Sequence, residues 1–299
     1  MPKYEDTDIV RWYKEAQHQE KIQSGLLNVM SYNTWGLPIE LKGHDHFRRF
    51  KSMADSLLLT NSDIIALQET FHPVLRDHLM KMLSKDYYTF SDYRCNRSIL
   101  PYVEMDCYGG LMTLSSLPVT SEIFYPYPVN ETSSIIEKTG GKGFLITQIS
   151  HGRKCINIIN THLYAGDYPK AENIRMEQIK YMHKVIQHIP DFYRNETILL
   201  GDFNVHHPDV ECSVVYDYIV SDMGFDDSKK SINDNDFTCD HKTNKYVAAS
   251  EKRTKLDYVF LKSDLNDGKI DILNQFRAMD NKKLPMSDHF GWQVQIRLL

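Results

Sequence analysis

Residues 197–204 read Thr-Ile-Leu-Leu-Gly-Asp-Phe-Asn, a short apolar run that ends in a carboxylate and an amide. The run Thr197–Leu200 predicts a buried strand, and Asp202 and Asn204 share one face if the chain stays extended. A carboxylate accepts protons and an amide donates to a phosphoryl oxygen, so the pair suits a phosphodiester and its attacking water. Taken alone, the segment is equally compatible with a simple turn, because Gly, Asp and Asn are common turn residues.

The same arrangement, a polar side chain at the end of an apolar run, recurs along the chain. The other examples are Asn33, Glu69, His162 and Asp288 with His289. Ligand crevices in α/β sheets form at the ends of strands. Together with the first segment, five strand ends each supply a carboxylate, an amide or an imidazole, which would be a coincidence in a structural protein. We therefore expect these side chains to meet in one site.

Strands and helices alternate along the chain, which predicts an α/β sandwich. Apolar runs of strand length occupy 26–33, 64–69, 110–115, 119–125, 144–150, 154–160, 197–200, 256–261, 270–276 and 291–298. Segments with helical character occupy 7–23, 45–59, 73–83, 169–189 and 208–220. We expect one domain at 25–299, preceded by a polar helical extension at 1–24. The polar stretch 228–255 is expected to be an active-site loop rather than a domain boundary.

The composition limits the class of partner. The chain has 299 residues and a net charge of −5. Proteins that hold nucleic acid by its phosphates usually carry a basic excess, so nucleic acid is the less favoured partner. No apolar run approaches the ~18 residues of a membrane span, and the N-terminal residues lack the apolar core of a signal peptide. These features predict a cytoplasmic or peripheral membrane protein, and secretion without a signal peptide stays open.

The cysteines argue against a site built on thiolates. There are five, an odd number, and no Cys-x-x-Cys pair occurs. A disulfide framework or a zinc site is therefore not expected. A single bridge between Cys95 and Cys107 stays open for a secreted protein.

Glu69 ends the apolar run that begins at Ile64, where burying an unpaired carboxylate is costly. A salt-bridged or solvent-facing glutamate is the plain alternative. The functional interpretation is a hard oxygen ligand for Mg²⁺, because Mg²⁺ sites use one or two carboxylates with water and substrate phosphate. Asn33, at the end of the first strand, is a candidate for a second oxygen ligand.

Asp257 and His289 form a candidate acid–base pair. A general base needs a pKa near the working pH, which favours histidine, and a partner that fixes its tautomer, which a buried aspartate provides. Asp257 lies in an apolar run and needs a partner, so we expect the two residues to pair across neighbouring strands. The alternative is an edge aspartate and a capping histidine. His162 is a candidate phosphate ligand, although a lone histidine is more often structural.

In their order along the chain, these residues resemble the exonuclease–endonuclease–phosphatase superfamily. The matching motifs are Asn33, Gln68-Glu69, Thr161-His162, Gly201–Asn204, Leu256–Tyr258 and Ser287–His289. Each motif is weak alone, and their shared order over nearly the whole chain is the specific feature. The resemblance implies a catalytic domain with a deoxyribonuclease-like fold, a four-layer α/β sandwich with two packed mixed β-sheets.

Within that superfamily, four features resemble neutral sphingomyelinases. They are the Asn-x-Trp-Gly-x-Pro pattern in Tyr32–Pro38, the Gly-Gly-Leu strand in Gly109–Pro118, the Lys-Gly-aromatic segment Lys142–Phe144, and the spacing of Arg175 and Gln178 after the His162 motif. The resemblance implies hydrolysis of sphingomyelin or a related choline phospholipid to ceramide, or diglyceride, and phosphocholine. It implies a monomer in peripheral contact with the membrane. Tyr125 and Tyr127 are candidates for that contact, with ordinary loop packing as the alternative.

The resemblance also implies a metal site and a general base. Glu69 is implied to bind Mg²⁺, for which Mn²⁺ or Co²⁺ can substitute. Asn33 and Asp288 are implied to support the metal site. His289 is implied to be the general base, and Asp257 to orient it.

The remaining implied roles concern water and phosphate. Asp202 and Asn204 are implied to position the water and the phosphate, and His162 to contact the phosphate. Lys142 is implied to add positive charge beside the phosphate; a solvated loop lysine is the alternative.

Three rival functions stay open. A nuclease or DNA-repair phosphodiesterase on the same fold would use the same catalytic set, so the site residues do not discriminate; the acidic net charge and Trp35–Pro38 favour lipid. An inositol-phosphate phosphatase is less favoured, because those enzymes carry Cys-Asp-Arg where this chain has Leu256-Asp257-Tyr258. A catalytically inactive binding module would have lost metal or base residues, and none is missing from the sequence.

Overall fold

The alternating apolar runs form two six-stranded β-sheets in the computed structural model. The structure describes residues 24–38, 43–91, 94–100, 103–129, 140–152, 154–166, 170–263, 269–281 and 283–299. The helix expected at 7–23 lies outside the described residues.

The strands are numbered in chain order. They are β1 Leu26–Gly36, β2 Ile64–Thr70, β3 Tyr88–Ser91, β4 Arg94–Leu100, β5 Val103–Tyr108, β6 Met112–Ser115, β7 Val119–Pro126, β8 Gly143–His151, β9 Lys154–His162, β10 Glu196–Asp202, β11 Asp226–Asp227, β12 Asp257–Lys262, β13 Ile270–Ala278 and β14 Gly291–Leu298. The first sheet has the order β13-β14-β1-β2-β6-β3, and the second has the order β11-β12-β10-β9-β8-β7.

Both sheets are mixed. In the first sheet β1 runs parallel to β2, and in the second β9 runs parallel to β10. The other neighbours are antiparallel, including the hairpin of β8 and β9 that the sequence predicts around Gly152. Gly152 has a φ of 68°, a left-handed conformation that glycine adopts without steric cost.

The two sheets pack face to face through the side chains that alternate inward. Val29 and Ile64 of the first sheet belong to the same buried cluster as Ile158 and Ile198 of the second. Burying an aliphatic side chain of this size contributes roughly 1.5–3 kcal/mol. These contacts therefore hold the two sheets together.

Helices cover the outer faces. Helices α1 (His46–Leu59) and α2 (Pro73–Leu83) pack on the first sheet. Helix α3 (Lys170–Gln187) and the short helix α4 (Val214–Asp217) pack on the second. The layers run helix, sheet, sheet, helix, which confirms the expected four-layer α/β sandwich.

The helix expected at 208–220 is shorter than its pattern predicts. Its α-helical part is α4 alone, and a π-helical turn at Tyr218–Asp222 follows. The side chain of Ser213 accepts hydrogen bonds from the backbone N–H groups of Val215 and Tyr216. The helix therefore begins after this N-cap rather than at Pro208.

The sequence pattern does not predict four of the strands. β3 and β11 are too short to show a period, and β4 and β5 are polar and form a separate two-stranded sheet. Such segments lack the alternating apolar residues on which the expectation rests. In the pair of β4 and β5 the backbones of Cys95 and Cys107 lie opposite each other.

Candidate active site

The candidate site lies at the mouth of the space between the two sheets. Along β10, Leu200 points inward, and Asp202 follows on the same face at the strand end. Along β9, Ile158 points inward, and His162 ends the strand on the same face. The alternation that places apolar side chains between the sheets therefore continues to the strand ends, where the residues become polar.

A layer of buried polar side chains separates this mouth from the apolar interior. Gln68 donates from Nε2 to Oδ1 of Asn160 across the two sheets, over 2.8 Å. Asn160 donates in turn to the backbone oxygens of Leu67 and Met112. Buried amides need partners, and these find theirs on both sheets. Gln68 forms part of a sequence motif above, but neither amide was expected to form such a layer.

Asn33 joins the two carboxylates of the site. Its Nδ2 donates to Oε1 of Glu69 over 3.1 Å and to Oδ2 of Asp202 over 2.9 Å. Its Oδ1 accepts a hydrogen bond from the backbone N–H of Trp35. The amide nitrogen, rather than the oxygen expected to bind metal, therefore faces the carboxylates.

The backbone of Glu69 is strained, and one of its oxygens is unsatisfied. Its φ is 55°, a left-handed conformation that costs a non-glycine residue about 1–3 kcal/mol. The pairing of β1 and β2 is irregular here, between Asn33 and Gly36. Within the described residues Oε2 is buried and accepts no hydrogen bond. Burial, followed by the negative charge of Asp288, raises the pKa of Glu69 to about 7.

The residues present fit a divalent cation. Glu69, His162 and Asp202 each offer one ligand atom, and these atoms lie within 4.8 Å of one another. Asp202 forms a second group of this kind with Asp257 and His289. Two carboxylates, one of them with an unsatisfied oxygen, suit a hard cation such as Mg²⁺ or Mn²⁺.

Lys142 and His162 lie side by side, and both are buried. Nζ of Lys142 is 3.1 Å from Nε2 of His162 and donates to the backbone oxygen of Leu163 over 2.9 Å. Burial, with the positive charge of Lys142, lowers the pKa of His162 well below its usual value. His162 is therefore neutral and Lys142 supplies the positive charge. The alternative of a solvated loop lysine is wrong.

Asn204 does not continue the strand that Asp202 ends. It has a φ of 51°, and its backbone N–H donates to Oδ1 of Asp202. The extended geometry expected for the two residues is therefore wrong. The side chain of Asn204 donates to the backbone oxygen of Leu163, 3.2 Å away, which is the same acceptor that Lys142 uses.

Asp257 and His289 form the expected pair, with Nδ1 of His289 2.8 Å from Oδ2 of Asp257. Asp257 begins β12 and His289 precedes β14, and these strands belong to different sheets. The expectation of neighbouring strands is therefore wrong, because the pair spans both sheets. Nε2 of His289 lies 3.8 Å from Oδ2 of Asp202. Burial lowers the pKa of His289, but the negative charges of Asp257 and Asp202 outweigh it and raise the pKa well above its usual value.

The polar stretch 228–255 supports this pair, in line with its expected position at the site. Oγ1 of Thr238 accepts from the backbone N–H of Asp257, 3.3 Å away. Nδ2 of Asn244 donates to the backbone oxygen of Ser287 over 2.8 Å. The sequence analysis did not single out Thr238 or Asn244, because Thr and Asn in a polar loop give no signal of long-range contacts.

Asp288 lies close enough to the metal-binding groups to affect them electrostatically. It accepts a hydrogen bond from Ser287, and its charge contributes to the raised pKa of Glu69. The candidate membrane tyrosines pack instead. Tyr127 is buried, with its hydroxyl 2.7 Å from Oγ1 of Thr161, and the ring of Tyr125 stacks on Phe144. The packing alternative is therefore correct for both tyrosines.

Sequence comparison relates this chain to known hydrolases. The profile of the Endonuclease/Exonuclease/phosphatase family matches residues 30–289. Sphingomyelinase C 2 of Leptospira interrogans (serogroup Icterohaemorrhagiae, serovar Lai) is 27% identical over 262 residues, which covers 79% of this chain and 39% of that protein. The match thus spans well under half the length of that relative.

Solved structures share the fold. TDP2 of D. rerio, complexed with single-strand DNA product, has a TM-score of 0.69 at 17% identity. The match covers 91% of this chain and 99% of the TDP2 chain. A mutant beta toxin of Staphylococcus aureus with bound magnesium ions has a TM-score of 0.66 at 20% identity. The match covers 90% of this chain and 98% of the toxin chain. With the sequence profile spanning most of the chain, the protein belongs to the Endonuclease/Exonuclease/phosphatase family.

Proposed function

We propose that the protein is a Mg²⁺-dependent phosphodiesterase that hydrolyses sphingomyelin, or a related choline phospholipid, to ceramide, or diglyceride, and phosphocholine. The observation that carries the chemistry is the buried Oε2 of Glu69, which has no hydrogen-bond partner in the described part of the chain. Burying a carboxylate whose oxygen has no hydrogen-bond partner is costly, and a bound cation offsets that cost. The magnesium ions in the beta toxin structure support Mg²⁺ as that cation.

The choice of a lipid substrate rests on three further observations. The Leptospira relative is named a sphingomyelinase. Tyr32–Pro38 and Lys142–Phe144 resemble segments of neutral sphingomyelinases, and both adjoin the site. The net charge of −5 disfavours a broad nucleic-acid surface.

Three carboxylate or amide side chains prepare the metal site. Bound Mg²⁺ polarises a phosphoryl oxygen and neutralises charge that develops in the transition state. Glu69 would hold the cation, and its Oε2 is the carboxylate oxygen without a hydrogen-bond partner among the described residues. Asn33 aligns the carboxylates of Glu69 and Asp202 through its amide nitrogen. Asp288 adds negative charge beside them.

His289 is the proposed general base; a cation at Glu69 and Asp202 would offset the negative charges that raise its pKa and so leave its imidazole neutral. Asp257 holds Nδ1, so Nε2 is the atom that accepts the proton of the attacking water. Oδ2 of Asp202 is 3.8 Å from Nε2, so an attacking water would lie to one side of the two atoms, within reach of both. The water oxygen bonds to phosphorus, and the bond from phosphorus to the ceramide oxygen breaks. That oxygen leaves with the electron pair and is then protonated, so no covalent intermediate with the protein is required.

Lys142, His162 and Asn204 bind the phosphate. The donors of Lys142 and Asn204 both lie beside the backbone oxygen of Leu163, next to His162. A buried ammonium group attracts the phosphate and stabilises the charge that develops on its oxygens.

A nuclease or DNA-repair phosphodiesterase is the second candidate. The observation that favours it is the similarity in fold to TDP2, whose structure holds a single-strand DNA product. A catalytically inactive binding module is less favoured, because the proposed metal, base and phosphate groups are all present and converge.

A parallel assay separates these functions. Mg²⁺-dependent release of phosphocholine from sphingomyelin, phosphatidylcholine and lysolipids is measured beside nicking of plasmid DNA. We expect phosphocholine release, which EDTA stops and which Asp202→Ala lacks while its circular dichroism matches wild type. Nicking of DNA without phosphocholine release would overturn the lipid assignment.

The remaining parts of the proposal concern where the protein acts. We place the catalytic domain at 25–299 and propose a monomer that reaches lipid from water by peripheral contact, in the cytoplasm or at a membrane. None of the helices in the described residues has both the length and the apolar character that crossing a bilayer requires.

A further inference from the structure

Three arginines of the outer helices are buried beneath the site. Arg49 lies on α1, Arg76 on α2 and Arg175 on α3. Arg49 and Arg76 are 0% exposed and Arg175 is 6% exposed. A buried guanidinium group needs several acceptors to offset its desolvation, so its partners show what it holds in place.

The acceptors of these arginines are mainly backbone carbonyls, and each arginine has at least one acceptor that lies one to four residues after a residue of the site. Arg49 donates to the oxygens of Thr34 and Trp35, over 2.9 and 2.7 Å, just after Asn33. A backbone oxygen held in this way fixes the direction of the preceding side chain.

The other two arginines repeat this arrangement. Arg76 donates to the oxygen of Thr70, directly after Glu69, over 3.3 Å. Arg175 donates to the oxygens of Tyr164 and Gly166, over 2.8 and 2.5 Å, shortly after His162.

Arg49 also joins two distant parts of the chain. Its Nη1 donates to the oxygen of Thr34 and, over 2.6 Å, to the oxygen of Met286. Met286 directly precedes the loop Ser287–His289. One guanidinium group therefore fixes the strand end that carries Asn33 relative to the loop that carries His289.

The backbone at these positions needs such support. Trp35 and Glu69 have φ values of 51° and 55°, and strained backbone of this kind persists only where its surroundings hold it in place. The planar guanidinium group has five donors in a fixed arrangement, which a lysine ammonium group does not reproduce. Arg49 and Arg76 are therefore suited to hold strained strand ends.

We infer that Arg49, Arg76 and Arg175 are positioning residues of the active site, each of which holds the backbone within four residues after a metal- or phosphate-binding residue, and that Arg49 also sets the position of the base loop. The inference rests on the proposed function for the reaction. The geometry of the metal site provides a readout that does not depend on the substrate.

Arg49→Lys tests the inference because it keeps the positive charge and removes the planar guanidinium group with its fixed arrangement of donors. We expect kcat to fall about 100-fold, the loss associated with a misplacement of about 1 Å. KM for the lipid should stay near the wild-type value, because Arg49 does not contact the substrate. The affinity for Mg²⁺, measured by isothermal titration calorimetry, should fall about 10–100-fold.

Asn157→Ala is the matched control. Asn157 is buried and also donates to a backbone carbonyl, that of Phe192, over 2.8 Å. It lies five residues before His162 on β9, roughly 16 Å from the site. We expect it to lose thermal stability while kcat and Mg²⁺ affinity stay unchanged.

The outcomes are distinct. Wild-type kcat and Mg²⁺ affinity in Arg49→Lys, or equal losses in Arg49→Lys and Asn157→Ala, would overturn the inference. If Arg49→Lys does not fold, Arg175→Lys is judged by the same criteria. If the wild-type protein binds Mg²⁺ but hydrolyses no lipid, the proposed function fails, and the Mg²⁺ affinity of Arg49→Lys still decides the inference.

Discussion

Two buried clusters of ionisable groups lie in this fold, and they differ in how their polar atoms are satisfied. The site cluster consists of Glu69, His162, Asp202, Asp257 and His289. The Lys255 cluster, at the second sheet, consists of His207, Tyr216, Asp227, Lys255 and Tyr258. In the site cluster Oε2 of Glu69, Oδ1 of Asp257 and Nδ1 of His162 have no hydrogen-bond partner among the described residues.

As far as the structure describes the chain, the Lys255 cluster leaves one buried atom without a hydrogen bond, Nζ of Lys255, and we call the cluster closed because that atom faces a carboxylate and an aromatic ring. Nζ of Lys255 is 3.9 Å from Oδ1 of Asp227 and 3.8 Å from the centre of the Tyr258 ring, where a cation–π contact replaces a hydrogen bond. Asp227 also accepts from the hydroxyl of Tyr216 and from the backbone N–H of Lys229. Buried charges that meet one another leave no room for a ligand, whereas buried groups with unused atoms around a common space are prepared for one.

The largest expected effect comes from removing the base of the site cluster. His289→Ala should lower kcat about 1,000-fold, since proton transfer by a positioned side chain contributes 10²–10⁴-fold. Phosphocholine release measures the loss, and circular dichroism checks the fold. An active His289→Ala variant would remove His289 from the proposed mechanism.

Glu69→Gln separates metal binding from stability. We expect affinity for Mg²⁺ to fall on the order of 100-fold. Because burial raises the pKa of Glu69 in the folded protein to about 7, the carboxylate destabilises the metal-free protein above that pH. At pH 8 without metal, the variant should therefore unfold at a higher temperature than wild type in a calorimetric scan. A lower unfolding temperature would show that Oε2 is satisfied in the folded protein.

Lys255→Met tests the closed cluster through pH. Burial lowers the pKa of Lys255 to about 8 from the 10.5 of the unfolded chain. As pH rises from 8 to 10.5, the folded state loses the proton first, so the stability due to this group rises by about 3 kcal/mol. The variant lacks that rise, and urea unfolding of both proteins at pH 7 and 10.5 measures the difference.

The same variant should keep kcat near the wild-type value at pH 7, which contrasts the two clusters directly. An identical pH dependence in variant and wild type would show that Lys255 does not titrate in this range. A large loss of kcat would make the Lys255 cluster part of the active site.

The smallest effect is expected from Tyr216→Phe. The change removes the hydroxyl that donates to Asp227 over 3.0 Å. A hydrogen bond to a charged group contributes about 2 kcal/mol, so the free energy of unfolding in urea should fall by about that amount with kcat unchanged. No change in stability would mean that water replaces the hydroxyl.

The sequence predicts the strand ends well, because at each of them the side chains on the inward face of the strand change from apolar to polar. In β10 the apolar alternation stops at Asp202, and in β9 it stops at His162. It also predicts the contact of Asp257 with His289, since a buried aspartate needs a partner. It does not predict which sheet holds each strand, because sheet membership depends on pairings between residues far apart in the chain.

Other features leave no readable pattern. The left-handed backbone of Asn204 turns its side chain away from the extended direction; the sequence allows a turn here, because Gly, Asp and Asn are common turn residues, but does not decide between the turn and an extended chain. Arg49 looks like a surface residue of an amphipathic helix until the carbonyls that it contacts are known. Tyr127 looks like an exposed loop aromatic, yet it lies under the sheet beside Thr161.

The pairing of β1 with β14, in which Leu26 lies opposite Arg297, has a consequence for how the protein is made. A ribosome produces β1 early, and that strand must wait for residues 291–298 before one of its edges is covered. Exposed strand edges recruit other chains, so the growing polypeptide is vulnerable to aggregation throughout its synthesis. His289 directly precedes β14 in the chain, so the proposed general base is in place only once that strand has been made.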